Sequence, residues 1–392
     1  MARGRGGFIG QDGLNAPDSP TAVSGTAGDQ QVSVAFTAPT DVGGSAITGY
    51  RAQSNTGVGA SGSSSPITVT GLSNGTSYTF NVWAINAFGY SAPSDTSTGV
   101  SPALARGLFG GGTSSNVIDY IDIGSTGNAT DFGDLSVVRN ELGAFSSVTR
   151  GIFGLGNDSN NSIDYVTIAS TGNASDFGDP SLNRSGASGL SNSTRGLFSG
   201  GQAGGTYYNT IDYVTIASTG NATDFGNMPY NAYSNASCAS PTRGIIAGGF
   251  TDSYVRSNAI SYVTIGSTGN ASDFGDLSSG NWLFSGCSSS TRGLFGGGNF
   301  SGSEINNIDY ITIASTGNAT DFGDLTTAVQ NNGGLSSEAR GVFSGGRLGN
   351  GSSTNVINYV TIASTGNATD FGDLTVARQK LAGCSSAHGG LQ

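Results

Sequence analysis

Imidazole, thiol or amine chemistry in this chain would have to be done with one histidine, His388, three cysteines and one lysine, Lys380. A Ser-His-Asp or Cys-His site needs an imidazole beside its nucleophile, and a histidine-based zinc or copper centre needs several. His388 sits in what reads as the last strand of the chain, which suits neither. Cys238 and Cys287 each lie five residues before an Arg-Gly pair, at Arg243 and Arg292, and Cys384 falls in the matching slot near the end. Phe145, Leu190 and Leu335 fill that slot elsewhere, so it is a core position in which free Cys acts as a small hydrophobe. Asp-Phe-Gly recurs six times, with neither a kinase catalytic loop nor a strand lysine beside it. Asn-Ala-Thr or Asn-Ala-Ser stands in each of the six repeat phrases, a glycosylation sequon whose presence in every repeat points to turn structure. Asn128, Asp131 and Asp134, with their copies, are candidates for calcium at those turns, and capped turns account for them equally well. No catalytic, cofactor-binding or metal-ligating residue is assigned, and the expectation is a protein that is not an enzyme.

A repeat places these residues. The phrase Ile-Asp-Tyr-Val-Thr-Ile-Ala-Ser-Thr-Gly-Asn-Ala-Thr-Asp-Phe-Gly-Asp recurs with small changes from Ile118, Ile163, Ile211, Ile260, Ile308 and Ile357. Each copy follows an Arg-Gly pair, at Arg106, Arg150, Arg195, Arg243, Arg292 and Arg340, so the period is 44 to 49 residues. That is too long for leucine-rich or ankyrin units and suits a four-stranded propeller blade. Within one unit, residues 340–346 form a strand ending in a double glycine, 357–362 the next strand, and 367–373 an outer turn and strand. The stretch before each Arg-Gly pair supplies the fourth. Double glycine, spaced Tyr and a closing aromatic resemble the kelch repeat. Leu155 replaces one glycine, and Phe132, Phe177, Phe225, Phe274, Phe322 and Phe371 stand where kelch repeats carry Trp. The resemblance implies a six-bladed β-propeller over residues 103–392. The six repeated arginines are expected at turns, paired with a repeat Asp. The first repeat begins at its second strand, while Leu374 to Gln392 supplies an extra first strand. Pairing that tail with the open blade at Arg106 would close the ring and remove exposed edges.

Residues 17–102 read as short alternating strands between turn clusters, the pattern of a seven-stranded sandwich. Val32–Phe36, Ile47–Ala52 and Ser77–Ala84 are strands, and Leu72 to Tyr78 has the form of a tyrosine corner. With a last hairpin around Asn86 to Ser94, the set resembles fibronectin type III domains, with Phe36 at the early-strand Trp position. Such domains imply contact, not catalysis. Residues 1–16, with Arg3 and Arg5 among glycines, read as a docking segment.

Only 10% of the residues are charged and the net charge is -11, a balance that repels nucleic acid and anionic membrane, so neither is an expected partner. No run of eighteen apolar residues occurs, and the start lacks the apolar stretch of a signal peptide. If the repeats are scaffold, function belongs where they differ. The segment after the double glycine grows from about five residues at Gly112 to about ten at Gly249 and Gly346. These loops share a face with the blade-to-blade connections. There Tyr207, Tyr208, Tyr230, Tyr233, Phe250, Tyr254, Trp282 and Phe300 are the candidate glycan- or receptor-binding residues. Aromatic faces among Asn, Ser and Thr suit sugar rings, although rings also pack loops together.

The Gly-Gly-Phe-Ile-Gly start, the fibronectin-like module and the Ala-Ser-Thr-Gly-Asn-Ala-Thr-Asp-Phe-Gly-Asp repeat together resemble virion structural proteins of marine tailed bacteriophages. The resemblance implies a tail-fibre, appendage or capsid-decorating component, made in the host cytoplasm and carried on the virion. Its partners would be other virion proteins, through the first 16 residues and the fibronectin-like module, and a host-surface glycan, with homo-oligomers in the particle. A secreted or surface bacterial adhesin and a glycan-active propeller enzyme are the alternatives.

Overall fold

The computed structural model describes residues 15–28, 30–73, 76–102, 105–156 and 162–391. The expected docking segment therefore lies almost wholly outside the described residues. The chain divides into two compact units, Met1–Leu104 and Ala105–Gln392.

Alternation builds the first unit. In Gln31–Thr37 and Phe80–Asn86 every second side chain is buried, as a strand with one face in a core requires. One sheet joins Thr21–Gly28, Gln31–Thr37 and Ile67–Thr70; the other joins Gly59–Gly62, Gly49–Ser54, Phe80–Asn86 and Gly89–Tyr90. Val32, Val34, Phe80 and Val82 are fully buried in the shared core, where Phe36 meets Tyr50 with ring centroids 4.7 Å apart. The Tyr78 hydroxyl accepts the Ser73 N–H at 3.0 Å, the bond a tyrosine corner makes. The expected last hairpin forms, with Ile85 opposite Tyr90 and Asn86 opposite Gly89, but from Ser91 onward the returning segment leaves the regular ladder. Ser91, Ser94 and Ser97 donate their N–H groups to the carbonyls of Ala84, Val82 and Phe80. Their hydroxyls accept the N–H groups of the same three residues at 2.9 to 3.0 Å. A β-ladder pairs with period two; here Pro93 has no N–H to give, and the chain pairs through every third residue instead.

Among its described residues the second unit holds six four-stranded antiparallel sheets and three two-stranded ones. In one, the strands run in chain order as Gly143–Ser146, Arg150–Gly154, Ile163–Thr167 and Ser175–Gly178. Another is assembled from both ends of the unit: Ala382–Ser385 pairs with Arg106–Gly110, Cys384 opposite Leu108, ahead of Val117–Asp122 and Thr130–Asp134. The tail thus fills the place its sequence predicts. Each inner strand contacts the next, and Ala382–Ser385 contacts both Gly333–Ser336 and Gly143–Ser146.

The hydrophobic cores lie between sheets. Six clusters each draw on two adjacent sheets, and the join between last and first is built like the rest, with Phe109, Ile121 and Ile123 against Val342, Ile357 and Phe371. The slot holding Phe145, Leu190, Cys238, Cys287, Leu335 and Cys384 explains the Arg-Gly glycine. Each slot side chain packs on the glycine of the next sheet, as Cys238 Sγ does 2.6 Å from where Gly293 would carry a Cβ. The three cysteines are free and buried, and burial pushes all three thiols up from their ordinary range.

The repeated phrase is an inter-sheet clasp. Gly172 and Ala174 donate their N–H groups to Phe132 and Asp134 carbonyls of the preceding outer strand, and Asn173 Oδ1 accepts the Asp134 N–H at 3.1 Å. The same three bonds recur at every join, including the one where Gly127, Asn128 and Ala129 hold Phe371 and Asp373. They satisfy the outer strand's free edge. They also explain Gly in Asp-Phe-Gly: Gly133 has φ 143°, and a Cβ there would come within 2.5 Å of the Gly172 carbonyl. The asparagine oxygen that was the first calcium candidate is thus taken by backbone.

The expectation for the repeated arginines is corrected. Each starts a strand and lies over the Tyr of its own sheet, with Cζ 4.3 to 4.7 Å from the ring centroid. Its Nη1 donates to an Ile carbonyl of the next sheet at 2.8 to 3.2 Å, from Arg106 to Ile168 round to Arg340 to Ile123. The repeat Asp is out of reach because neighbouring strand residues point to opposite faces. Asp119, Asp164 and Asp212 are buried and pair with Arg378, Arg139 and Arg184 of the connectors, at 3.1, 3.4 and 2.7 Å.

Candidate functional site

The connectors that carry the variable face all turn alike. Glu141, Gly186, Ser234, Leu283, Asn331 and Lys380 stand at one equivalent place before the inner strands, with φ between 54 and 68°. Each donates its N–H to the carbonyl of the one before it, and Glu141 closes the circle on Lys380. The Lys380 ammonium also meets the Glu141 carboxylate at 2.6 Å. These bonds hold non-glycine residues in left-handed backbone that they rarely adopt. The circle rims a cavity of about 70 Å³. Buried small-molecule sites run to roughly 300–1,000 Å³, so a ligand here would lie on the face and dip only its tip into the mouth.

Aromatic side chains gather beside that mouth. Tyr207 comes from the hairpin of Gln202–Ala203 and Thr206–Tyr207, and Tyr233 pairs with Phe250 across two short strands. Trp282 is fixed by a bridge to Asn299. Phe250 lies 4.8 Å from Trp282, 6.0 Å from Tyr233, 6.3 Å from Tyr254 and 6.4 Å from Tyr207, centroid to centroid. Tyr233 in turn lies 4.8 Å from Tyr207 and 5.6 Å from Trp282. Tyr254 sits at φ 59° in a turn closed onto the Thr251 carbonyl, which leaves it 79% exposed. The other four rings are partly buried. Polar groups border them. Asn231 Nδ2 donates to Asp252 at 2.9 Å, and the Arg256 guanidinium lies 5.9 Å from the Trp282 ring centroid. Burial, then Tyr207 and Glu141, push the Tyr233 phenol up to about 12, so it stays a neutral hydrogen-bonding group.

Five of the eight expected residues are therefore brought together, and three are not. Tyr230 does structural work: its hydroxyl donates toward the Gly248 and Ala259 carbonyls at 3.4 and 3.1 Å. Arg184 serves the equivalent carbonyls of Gly200 and Thr210 one sheet earlier. Where Tyr230 replaces the arginine, Ser261 replaces its aspartate partner. Tyr208 and Phe300 make no ring contact with the cluster among the described residues, and Phe300 stands 46% exposed on the separate hairpin of Asn299–Phe300 and Ser303–Glu304. Arg256, Asn231 and Asp252 were missed; the signal for Arg256 is a lone cation in one of the longest loops.

His388, expected in the last strand, lies beyond Ala382–Ser385, at the opposite ends of the inner strands. Its Nε2 is 3.1 Å from the Ser146 carbonyl and 3.3 Å from Ser191 Oγ, and its Nδ1 accepts the Gly390 N–H. That network assigns the proton to Nε2, so the ring is neutral and fastens the tail. Burial pushes its pKa down to about 4, with the Ser146 carbonyl opposing. Because the folded pKa is below the usual 6.5, the unfolded chain binds the proton first, and this contribution to stability falls as pH drops from about 6.5 toward 4. Thermal melts across that range should therefore show wild type losing ground to His388→Gln; parallel curves would refute the assignment. Among the described residues, no three His, Cys, Asp or Glu side chains converge as metal ligands.

No curated protein matches the chain. Residues 16–100 match the family model described as Fibronectin type III domain, so the first unit carries a fibronectin type III domain.

Proposed function

We propose that this chain is a non-enzymatic recognition protein whose six sheets form a kelch-like β-propeller closed by its C-terminal strand, and whose loop face binds glycan. The observation that carries the reading is the single tier of Tyr207, Tyr233, Phe250, Tyr254 and Trp282, supplied by separate loops and open at Tyr254. Aromatic faces beside hydrogen-bonding groups match the apolar faces and hydroxyls of sugar rings. The narrow axial cavities support a surface-binding role. A glycan array probed with the full chain should give saturable hits. Tyr254→Ala should weaken them about threefold to tenfold while leaving the melting temperature unchanged, since that ring is exposed. An array without hits, or an affinity that Tyr254→Ala leaves alone, would count against the reading.

The particle on which we place the protein is that of a tailed bacteriophage, as a tail-fibre, appendage or capsid-decorating component docked through its first 16 residues and its fibronectin type III domain. Support comes from the likeness of the repeat phrase and the glycine-rich start to such virion proteins. Mass spectrometry of purified particles should find the chain at a defined site; finding it on bacterial cells instead would favour an adhesin.

A further inference from the structure

Of the 15 Lys and Arg residues, Arg3, Arg5 and Arg51 precede the second unit, which leaves twelve. Eleven of these have an oxygen partner. The six repeated arginines reach Ile carbonyls, Arg139, Arg184 and Arg378 reach buried aspartates, Arg347 reaches Glu304 and Lys380 reaches Glu141. Arg256 is the exception. Its guanidinium makes no hydrogen bond or ion pair among the described residues, and its Nε is buried without a partner. The nearest acid along its loop, Asp252, is engaged by Asn231.

Backbone fixes Arg256 in place. It bridges to Phe250, and its carbonyl lies so close to Gly280 that a Cβ there would come within 2.4 Å. The guanidinium is held beside Trp282, on the aromatic tier itself, with part of the residue open to solvent. A planar fork of donors offered next to stacking faces, with its own carboxylate neighbour occupied, is complementary to a carboxylate on a stacked ligand. We propose that the aromatic face selects acidic saccharides, of the uronic acid type, with Arg256 receiving the sugar carboxylate while the rings stack. This rests on the glycan reading above and deepens it. The net charge of -11 opposes a polyanion at long range, so the preference must come from this local contact and weaken as salt is raised.

The test is calorimetric titration of the full chain with a uronic acid oligosaccharide and with its neutral, carboxyl-reduced counterpart. Wild type is expected to bind the acidic ligand about tenfold to a hundredfold more tightly, the range of a charge-assisted hydrogen bond. Arg256→Gln should bring the two affinities together with an unchanged melting temperature, and Arg256→Lys should restore part of the difference. Equal affinities in wild type, or an acidic preference that survives Arg256→Gln, would overturn the proposal. Neutral binding that Tyr254→Ala weakens would leave the glycan reading standing and remove only this one. Binding of neither ligand removes both.

Discussion

A chain that stops at Lys380 is expected to keep its first unit and lose the second as a cooperative fold. Removing residues 381–392 takes away the four pairs that join Ala382–Ser385 to Arg106–Gly110. It also removes Leu381, Ala382 and Cys384, buried in the two clusters on either side of the first sheet. Ser385 is bonded to Ser146 in both directions and donates to the Ser336 carbonyl, so both neighbouring sheets lose contacts. At about 1 kcal/mol for each net hydrogen bond and 1.5–3 kcal/mol for each large buried side chain, the loss is roughly 8 kcal/mol. That is of the order of the whole stability of a folded domain. The opened edges would then template association. Size-exclusion chromatography and thermal melts should show association and one transition missing. A monomer melting near wild type would show that the tail does not close the unit.

Asp212→Ser is expected to cost about 3–5 kcal/mol, because it strands a buried cation. Arg184 and Asp212 are both fully buried, 2.7 Å apart, and Ser181 also donates to the carboxylate at 2.7 Å. Arg184→Met should cost a similar amount by leaving the carboxylate uncompensated. The double variant, Arg184→Met with Asp212→Ser, should recover most of the loss, since no buried charge remains. The fourth sheet supplies the precedent: Ser261 stands in the aspartate's place and neutral Tyr230 serves the carbonyls. Denaturant unfolding of the three variants measures this. Additive losses in the double variant would mean that the two residues act separately.

The sheets and the pairing of the tail strand were legible because their signals are local or periodic. The Ile-Asp-Tyr phrase fixes a strand by alternation, and the register offset between the first repeat and the tail predicts that the tail pairs with the strand at Arg106, where Cys384 stands opposite Leu108. The tyrosine corner at Tyr78 was equally legible, since its turn and its strand are adjacent in sequence. What escaped depends on which neighbouring sheet a side chain meets. Asn128 and its copies serve the outer strand of the preceding sheet, and the repeated arginines serve an Ile carbonyl of the following sheet; a repeat does not say across which join its polar groups reach. Tyr230 and Tyr233 are close in one connector, yet one hydroxyl satisfies buried carbonyls and the other ring joins the face. Only the turn between them, through Ala232 into the strand paired with Phe250–Thr251, separates the two roles.

The most direct measurement uses the two tryptophans. Trp83 lies in the first unit and Trp282 in the aromatic tier, so Trp83→Phe leaves one indole at the face. Titrating that variant of the full chain with neutral and acidic oligosaccharides should produce a saturable change in Trp282 emission, reduced by Tyr254→Ala. Emission that stays unchanged across the panel would contradict the account of this face as a glycan-binding surface.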